Sequence, residues 1–272
     1  MHLTDTFVDI HCHLLPGLDD GAVDLTESLA MARMAVEEGI RTIVCTPHQL
    51  GSFANRTDTI RQGVALLQQE LIRAGISLTV LPGADVRIEP DMVARLARDE
   101  ILTLADKGTV LLELPHELYF SLESLVEDLG RAGYRALLSH PERNAGILAN
   151  PAVLEPLVKG GCLLQITAGS LLGLFGRRPQ QLSEDLVRRR AVHCIATDAH
   201  DTLRRAPRMR EAFARAAELS SVEFARALCS TNPAAIAAGE PLKHANPRKP
   251  PREKKTPVPF FERWLPFGRT AR

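Results

Sequence analysis

The sequence lacks the long hydrophobic stretches and processing signals of membrane and secreted proteins. None of its 272 residues lies in a run of 18 apolar side chains, so no transmembrane helix is predicted. The first five residues, Met-His-Leu-Thr-Asp, do not resemble a signal peptide. An odd number of cysteines, mostly inside apolar runs, is typical of reduced core residues; they are Cys12, Cys45, Cys162, Cys194 and Cys229. We therefore expect a cytoplasmic protein.

Aromatic residues and several common catalytic motifs are also scarce or missing. Phe, Trp and Tyr make up only 4% of the sequence, so aliphatic side chains must fill the core. The sequence contains no G-x-S-x-G elbow, no phosphate-binding P-loop and no G-x-G-x-x-G fingerprint. Acyl transfer and nucleotide-dependent chemistry therefore have no support in the sequence.

Strand-like and helix-like segments alternate along the chain. Seven apolar runs rich in β-branched residues predict strands at Phe7–His11, Arg41–Thr46, Leu78–Pro82, Thr109–Leu114, Arg135–His140, Cys162–Thr167 and Val192–Thr197. Helical periodicity predicts helices at Leu25–Glu38, Thr57–Ala74, Pro90–Arg98, Leu122–Ala132, Ala152–Val158, Gln180–Arg190, Ala206–Leu219 and Ser221–Leu228. Asp24 with Glu27 resembles a capping box, and Gly39, Gly75 and Gly133 follow predicted helices. Seven βα units predict parallel strands closed as a barrel, with an open doubly wound sheet as the alternative.

Residues that bind metals follow six of the seven predicted strands. His11 and His13 are two residues apart on the first strand, so both imidazoles project from one face and can reach one ion. The other ends carry Asp19 and Asp20, His48, Asp85, Glu113, His140, and Asp198 with His200. Because catalytic groups of such barrels lie where strands give way to loops, this coincidence predicts a metal site.

Six motifs together resemble a known superfamily. They are D-I-H-C-H-L-L-P-G-L-D-D-G from Asp9, T-P-H from Thr46, P-G-A-D-V-R-I from Pro82, E-L-P from Glu113, S-H-P-E-R from Ser139 and T-D-A-H from Thr197. In this order and spacing they resemble the PHP (polymerase and histidinol phosphatase) superfamily. More closely, they are similar to the bacterial metal-dependent protein tyrosine phosphatases that act on tyrosine kinases of capsule and exopolysaccharide synthesis. The resemblance runs from about Asp9 to Pro233.

The resemblance implies a fold and a set of site residues. It implies a distorted (β/α)7 barrel and a cluster of three divalent ions, commonly Mn²⁺. Matched motif by motif, one ion would be held by His11, His13 and Asp198, a second by Glu113 and His140 with Asp85 bridging these two, and a third by Asp20, His48 and His200. Arg143 and Arg205 match positions that would bind phosphate. Asp85 departs from the pattern, because this family usually has Glu there.

The chemistry of these residues agrees with phosphate ester hydrolysis. Mixed nitrogen and oxygen ligands suit Mn, Fe or Zn, and the absence of cysteine from the set argues against a structural zinc site. Clustered divalent ions lower the pKa of a shared water, supply hydroxide at neutral pH and neutralise charge on the phosphoryl group. Arginine forks match phosphate oxygens.

Other mechanisms and functions can be weighed on the same sequence. A cysteine-based tyrosine phosphatase needs Arg six residues after its Cys, and none of the five cysteines has one. The alternatives are another PHP phosphoesterase, such as a histidinol-phosphate phosphatase or a nuclease, and a non-catalytic metal-stabilised scaffold of the polysaccharide machinery. We expect a phosphotyrosine protein as substrate, a membrane-associated bacterial tyrosine kinase in particular, and no nucleic acid.

Charge and proline separate a C-terminal tail from the rest of the chain. Residues 246–272 contain eight of the 33 Lys and Arg but only two of the 33 Asp and Glu. The same tail holds three of the nine phenylalanines and the only tryptophan. We expect residues 1–245 to form the barrel and residues 246–272 to form a flexible basic tail. The tail would contact an anionic membrane surface or the kinase, placing the protein peripherally at the inner membrane, or would fold back onto the barrel.

Overall fold

The computed structural model of the chain describes residues 6–242, and the strand prediction is confirmed there to within one or two residues at most strand ends. The strands are β1 (Phe7–Cys12), β2 (Ile40–Cys45), β3 (His48–Gln49), β4 (Thr79–Pro82), β5 (Asp85–Arg87), β6 (Thr109–Glu113), β7 (Arg135–Ser139), β8 (Leu163–Thr167) and β9 (Cys194–Ala196). The two very short strands, β3 and β5, were not predicted. The tail at 246–272 and the boundary at 245 lie outside the described residues.

Helices cover the connections between these strands. They are α1 (Leu25–Glu37), α2 (Thr57–Arg73), α3 (Met92–Ala97), α4 (Glu123–Arg131), α5 (Ala145–Ala149), α6 (Leu154–Lys159), α7 (Ala168–Leu171), α8 (Arg177–Arg188), α9 (Met209–Leu219), α10 (Val222–Arg226) and α11 (Asn232–Ala238). Within residues 6–242, no helix combines the length and hydropathy needed to cross a membrane.

All strand pairs of the two sheets are parallel, as the alternation predicts. One sheet has the order β1-β2-β4, and the other has the order β3-β5-β6-β7-β8-β9. Two residues separate β2 from β3, and two separate β4 from β5, so the chain passes directly from one sheet to the other. Just beyond β1 and β9, the His13 amide donates to the Ala199 carbonyl (2.9 Å) and the Asp198 amide donates to the His11 carbonyl (2.8 Å).

Strand parity divides the core into two layers. Alternate strand residues such as Leu111 and Leu137 pack in a small cluster on one face, while Val110 and Leu112 join the larger cluster that packs against the helices. Glu113 lies two residues beyond Leu111 and therefore on the face of the small cluster. This parity places polar residues at the carboxyl ends of the strands directly above an aliphatic layer.

The predicted helix boundaries have a clear physical basis. The Asp24 carboxylate accepts the amide of Glu27 (2.9 Å), and the Glu27 carboxylate in turn accepts the amide of Val23 (3.0 Å). These reciprocal bonds satisfy backbone donors at the start of α1, as a capping box does. Gly39, Gly75 and Gly133 have φ values of 93°, 68° and 84°, and this left-handed conformation ends the preceding helices.

Candidate metal centre

The structure brings all nine predicted metal-ligating residues together on the side where β1, β2, β4, β6, β7 and β9 end. Histidine nitrogens and carboxylate oxygens form four overlapping groups whose members lie within 4.8 Å of one another. The groups are His11, His13 and Asp198; His11, Asp85 and His140; His48, Asp85 and Glu113; and His13, Asp20, His48 and His200. Several residues belong to two groups, so the geometry describes one connected cluster.

His11 on β1 and His13, one residue beyond its end, face the same point because they are two residues apart. Their Nε2 atoms are 3.2 Å apart and lie 3.2 Å and 3.4 Å from Asp198 Oδ1. Each Nδ1–H is held by another side chain, since His11 donates to Gln165 Oε1 (2.9 Å) and His13 to Asp19 Oδ2 (2.7 Å). This arrangement turns both Nε2 atoms towards Asp198 Oδ1, so Nε2 is the nitrogen that each ring would offer to a metal ion after losing any proton there.

Asp85 is fully buried, and neither of its carboxylate oxygens has a hydrogen-bond partner among the described residues. Its closest nitrogen neighbours, on His48, His11 and His140, lie 3.5, 3.6 and 3.8 Å from Oδ2. Burial opposes the ionised carboxylate, but these histidines hold the pKa of Asp85 below its usual value. Such separations exceed a hydrogen bond, and they match donors bound about 2.1 Å from a shared ion. Asp85 therefore fits a metal-bridging position despite its short side chain.

Glu113 lies beside Asp85 with its carboxylate oxygens 3.6 Å from His48 Nδ1 and 3.9 Å from His140 Nε2. Burial and the neighbouring charge of Asp85 raise the pKa of Glu113 to about 8. This shift favours the protonated form of Glu113 in the protein without metal. A divalent ion would take the place of that proton.

The third predicted set also comes together, at the more exposed edge of the cluster. Asp20 Oδ1 lies 3.4 Å from His48 Nε2 and 3.5 Å from His200 Nε2. His200 donates through Nδ1 to the Asp198 carbonyl (2.9 Å), and its buried Nε2 has no hydrogen-bond partner in the described part of the chain. His13 belongs to this group as well, which the motif comparison did not assign.

Arg143 and Arg205 converge on one atom. Both guanidinium groups donate to Asp198 Oδ2, Arg205 at 2.6 Å and Arg143 in a close contact. Asp198 thus divides its carboxylate, with Oδ1 facing the histidines and Oδ2 facing the arginines. Phe175 lies beneath both arginines, and His116 Nε2 is 3.4 Å from Arg143.

Supporting residues in this site were missed by the sequence analysis. Asp19 was noted but given no role, yet its carboxylate accepts from His13, from the Gly21 amide (2.9 Å) and from the His48 amide (2.9 Å). Gln165 was also missed. It is a polar residue in the otherwise apolar, buried strand segment Leu163–Ile166, and the alternation of strand side chains could have shown which face it occupies. Glu142 is buried and accepts from the Thr167 amide (2.9 Å), which ties the loop carrying His140 to the end of β8.

The protein therefore belongs to the α/β class and has a candidate metal centre at one side of its parallel strands. Two arginines lie beside this centre. Within that class, the chain belongs to the CpsB/CapC family of capsular polysaccharide synthesis, whose profile matches residues 7–238.

Individual relatives agree with this membership. The chain is 42% identical to the tyrosine-protein phosphatase YwqE of Bacillus subtilis over 196 residues, covering 71% of this chain and 77% of the relative. It is 27% identical over 236 residues to the tyrosine-protein phosphatase CpsB of Streptococcus pneumoniae, covering 84% and 97%. The chain also superposes on a crystal structure described with YwqE and CpsB as metal-dependent tyrosine phosphatases. The TM-score is 0.84 at 37% identity, and the match covers 89% of this chain and all of the other.

Proposed function

We propose that this protein is a metal-dependent protein tyrosine phosphatase that hydrolyses phosphotyrosine on a protein. The observation that carries the proposal is the pair formed by the unpartnered, buried Asp85 carboxylate and the two arginines that converge on Asp198. The first fits divalent ions and the second fits a phosphate group. The tyrosine phosphatase names of the relatives support the substrate class.

Three divalent ions would occupy the cluster, with Mn²⁺ as the first choice and Fe or Zn as alternatives. His11, His13 and Asp198 would hold one, Glu113 and His140 a second, with Asp85 bridging the two, and Asp20, His48 and His200 a third. When bound, such ions activate a water molecule towards hydroxide and neutralise charge on the transferring phosphoryl group. The overlap of the donor groups leaves room for His13 and His48 to serve neighbouring positions.

The protein's own residues position the substrate. Arg143 and Arg205 would bind the phosphate oxygens, because planar guanidinium groups present paired N–H donors. Asp198 orients both arginines through Oδ2 before substrate arrives. Asp19 and Gln165 bind Nδ1 of His13 and His11, so that Nε2 is the nitrogen each ring offers to an ion. The site is thus preorganised by contacts outside the ligand set.

We propose further that the two sheets close into a distorted (β/α)7 barrel. The hydrogen bonds from His13 to Ala199 and from Asp198 to His11 connect the first strand to the last. The direct passages from β2 to β3 and from β4 to β5 connect the sheets on the other side. Amide hydrogen exchange at His13 and Asp198 tests closure, since an open edge would leave both amides unprotected.

The proposed partner is a membrane-associated bacterial tyrosine kinase of exopolysaccharide or capsule synthesis. The description of the family as capsular polysaccharide synthesis proteins supports this choice. We propose a cytoplasmic location, peripheral at the inner membrane, with residues 246–272 contacting anionic lipid or the kinase. Deletion of 246–272 should leave aryl-phosphate turnover and melting temperature unchanged and weaken binding to anionic vesicles or to the kinase. A large fall in melting temperature would show that the tail belongs to the fold.

One assay separates the candidate functions. Protein reconstituted with Mn²⁺ is offered a phosphotyrosine peptide, a phosphoserine peptide and histidinol phosphate, and kcat/KM is compared. Preference for the phosphotyrosine peptide supports the proposal, whereas preference for histidinol phosphate indicates a small-molecule PHP phosphoesterase. Absence of turnover on all three, with metal bound, indicates a non-catalytic scaffold.

A further inference from the structure

A second polar pocket opens beside the metal centre, on the side of Glu113. It has a volume of about 250 Å³ and is lined by Arg87, Glu113, His48, Phe53 and the turn at Leu50–Gly51. Phe53 forms one wall, because its ring stacks on that of His48 with centroids 5.4 Å apart and an angle of 18° between the planes. The lining residues do not include Arg143 or Arg205, so this pocket is separate from the two arginines that face Asp198.

Strand geometry aims Arg87 towards this pocket. Arg87 is two residues beyond Asp85 on β5, so both side chains project from the same face. Arg87 also pairs in register with Glu113 of the neighbouring β6. The turn packs closely on the stem of Arg87, since a methyl group on Gly51 would lie 3.2 Å from Arg87 Cγ. Arg87 therefore lies on the same face of β5 as Asp85, two residues further along the strand.

Arg87 is a half-buried cation without a bound counter-charge. Among residues 6–242 its side chain makes no hydrogen bond and no ion pair, although its charge acts on Glu113 at longer range. The nearby Glu89 is already used, since it accepts from Arg95 (2.8 Å) and from the Gly51 amide (2.9 Å). A partly desolvated guanidinium with free donors is stabilised when an anionic group binds it.

We propose that Arg87 and this pocket form a subsite for an anionic group on the phosphotyrosine substrate, a carboxylate or second phosphate near the phosphotyrosine. The inference rests on the proposed function and specifies which sequences the enzyme prefers. Because the pocket shares His48 and Glu113 with the metal centre, one peptide can place its phosphate at the centre and a neighbouring side chain at Arg87. Phe53 provides an apolar wall for the methylene groups of that side chain.

The test uses the metal-reconstituted full chain and one phosphotyrosine peptide in four versions. At each position that flanks the phosphotyrosine, one at a time, the residue is replaced by Glu, phosphoserine, Gln or Lys. The value of kcat/KM is measured for every peptide. The wild type should prefer the best Glu or phosphoserine peptide over its Gln counterpart by about fivefold, the effect of a single partly exposed ion pair. The anion that gives the larger increase in kcat/KM over the Gln peptide identifies the preferred group.

Substitutions at Arg87 are read as ratios between peptides, in which any common effect on the chemistry cancels. Arg87→Gln should bring the ratio of acidic to neutral peptide to about one, and Arg87→Glu should reverse the preference towards the Lys peptide. Arg33→Gln, an exposed arginine on α1, is the matched control and should keep the wild-type ratio. Melting temperatures verify that each variant is folded.

Three outcomes would overturn the subsite. They are equal kcat/KM for acidic and neutral peptides in the wild type, a preference that survives Arg87→Gln, and an Arg87→Glu variant that still favours acidic peptides. Failure of the proposed function is distinguishable, because then no phosphotyrosine peptide is turned over at any flanking sequence.

Discussion

The guanidinium carbon of Arg143 lies 4.4 Å from the centre of the Phe175 ring. Arg205 lies 5.9 Å from the same ring, and both arginines donate to the same oxygen of Asp198. Each guanidinium plane is thus fixed by an aromatic face and a carboxylate. A lysine can satisfy the charge but neither the stacking nor the paired donors.

Arg143→Lys and Arg205→Lys should each lower kcat/KM for an aryl phosphate by about 10- to 100-fold, the effect of losing charge-assisted hydrogen bonds. Bound metal should stay constant, because Asp198 keeps its contacts with His11 and His13. Steady-state kinetics and elemental analysis measure both quantities, with Arg33→Lys as the surface control. Wild-type kinetics in both variants would refute the role in phosphate binding.

Asp85→Ala should lower metal content and reduce turnover by about 10- to 100-fold or more, because a buried bridging carboxylate would be lost. Asp85→Glu should retain much of the activity, since the carboxylate remains. Asp128→Ala, which removes an exposed carboxylate on α4, is the control. Full metal content and turnover in Asp85→Ala would mean that Asp85 is not a ligand.

Metal uptake should release protons at neutral pH. Glu113 has a pKa raised to about 8 by burial and by Asp85. Burial alone would lower the pKa of His13, but its hydrogen bonds to Asp19 and Asp198 raise it to about 10. The raised pKa values favour the protonated form of both groups in the metal-free protein, so affinity for Mn²⁺ should rise with pH from 7 to 8. Titration in a weakly buffered indicator solution measures the protons, and a release close to zero would contradict this assignment.

His193 should make the metal-free protein sensitive to acid. Burial lowers the pKa of His193 to about 4, below the ordinary value of 6.5, so the folded state favours the neutral ring. Its stabilising contribution is present above pH 6.5 and is lost as the pH falls through 4, by about 3 kcal/mol in all. Urea unfolding with chelator present, at pH 7.5 and pH 5, should show a smaller pH effect in His193→Gln. Identical pH effects in both proteins would exclude His193 as the cause.

Chelation should abolish aryl-phosphate turnover, and Mn²⁺ should restore it, whereas a thiol-alkylating reagent should have little effect. All five cysteines are buried and free, and burial raises their pKa values, so no reactive thiolate is presented. The comparison is made on one preparation with both treatments. Undiminished turnover after removal of the metal would contradict the proposed metal-dependent chemistry.

Much of the fold and the contents of the cluster were predictable from local patterns. Apolar runs rich in β-branched residues located seven of the nine strands in residues 6–242. Parallel strands bring their carboxyl ends to one side, so His11, Glu113 and Asp198 were expected on the same side of the sheet. The strands β3 and β5 were not predicted because each has only two or three residues and lies outside any apolar run. The equally short β9 was predicted because it lies within the apolar run Val192–Thr197.

Contacts between distant residues could not be predicted. The bond from His11 to Gln165 spans 154 positions, and Phe175 gives no sign in the sequence that it lies beneath two arginines. Backbone conformation was also hidden, since His140 and Asp198 have positive φ values of 29° and 52°. Such values are unfavourable for residues other than glycine and depend on the surrounding structure.

The site combines residues at the end of β1 with Asp198 beyond β9, and this distance along the chain determines when the site can form during synthesis. His11 and His13 leave the ribosome first, but their carboxylate partner Asp198 follows 187 and 185 positions later. A nascent chain shorter than about 200 residues therefore has no complete ligand set for this part of the centre. A metal ion bound between these residues would therefore report a chain that extends at least to Asp198.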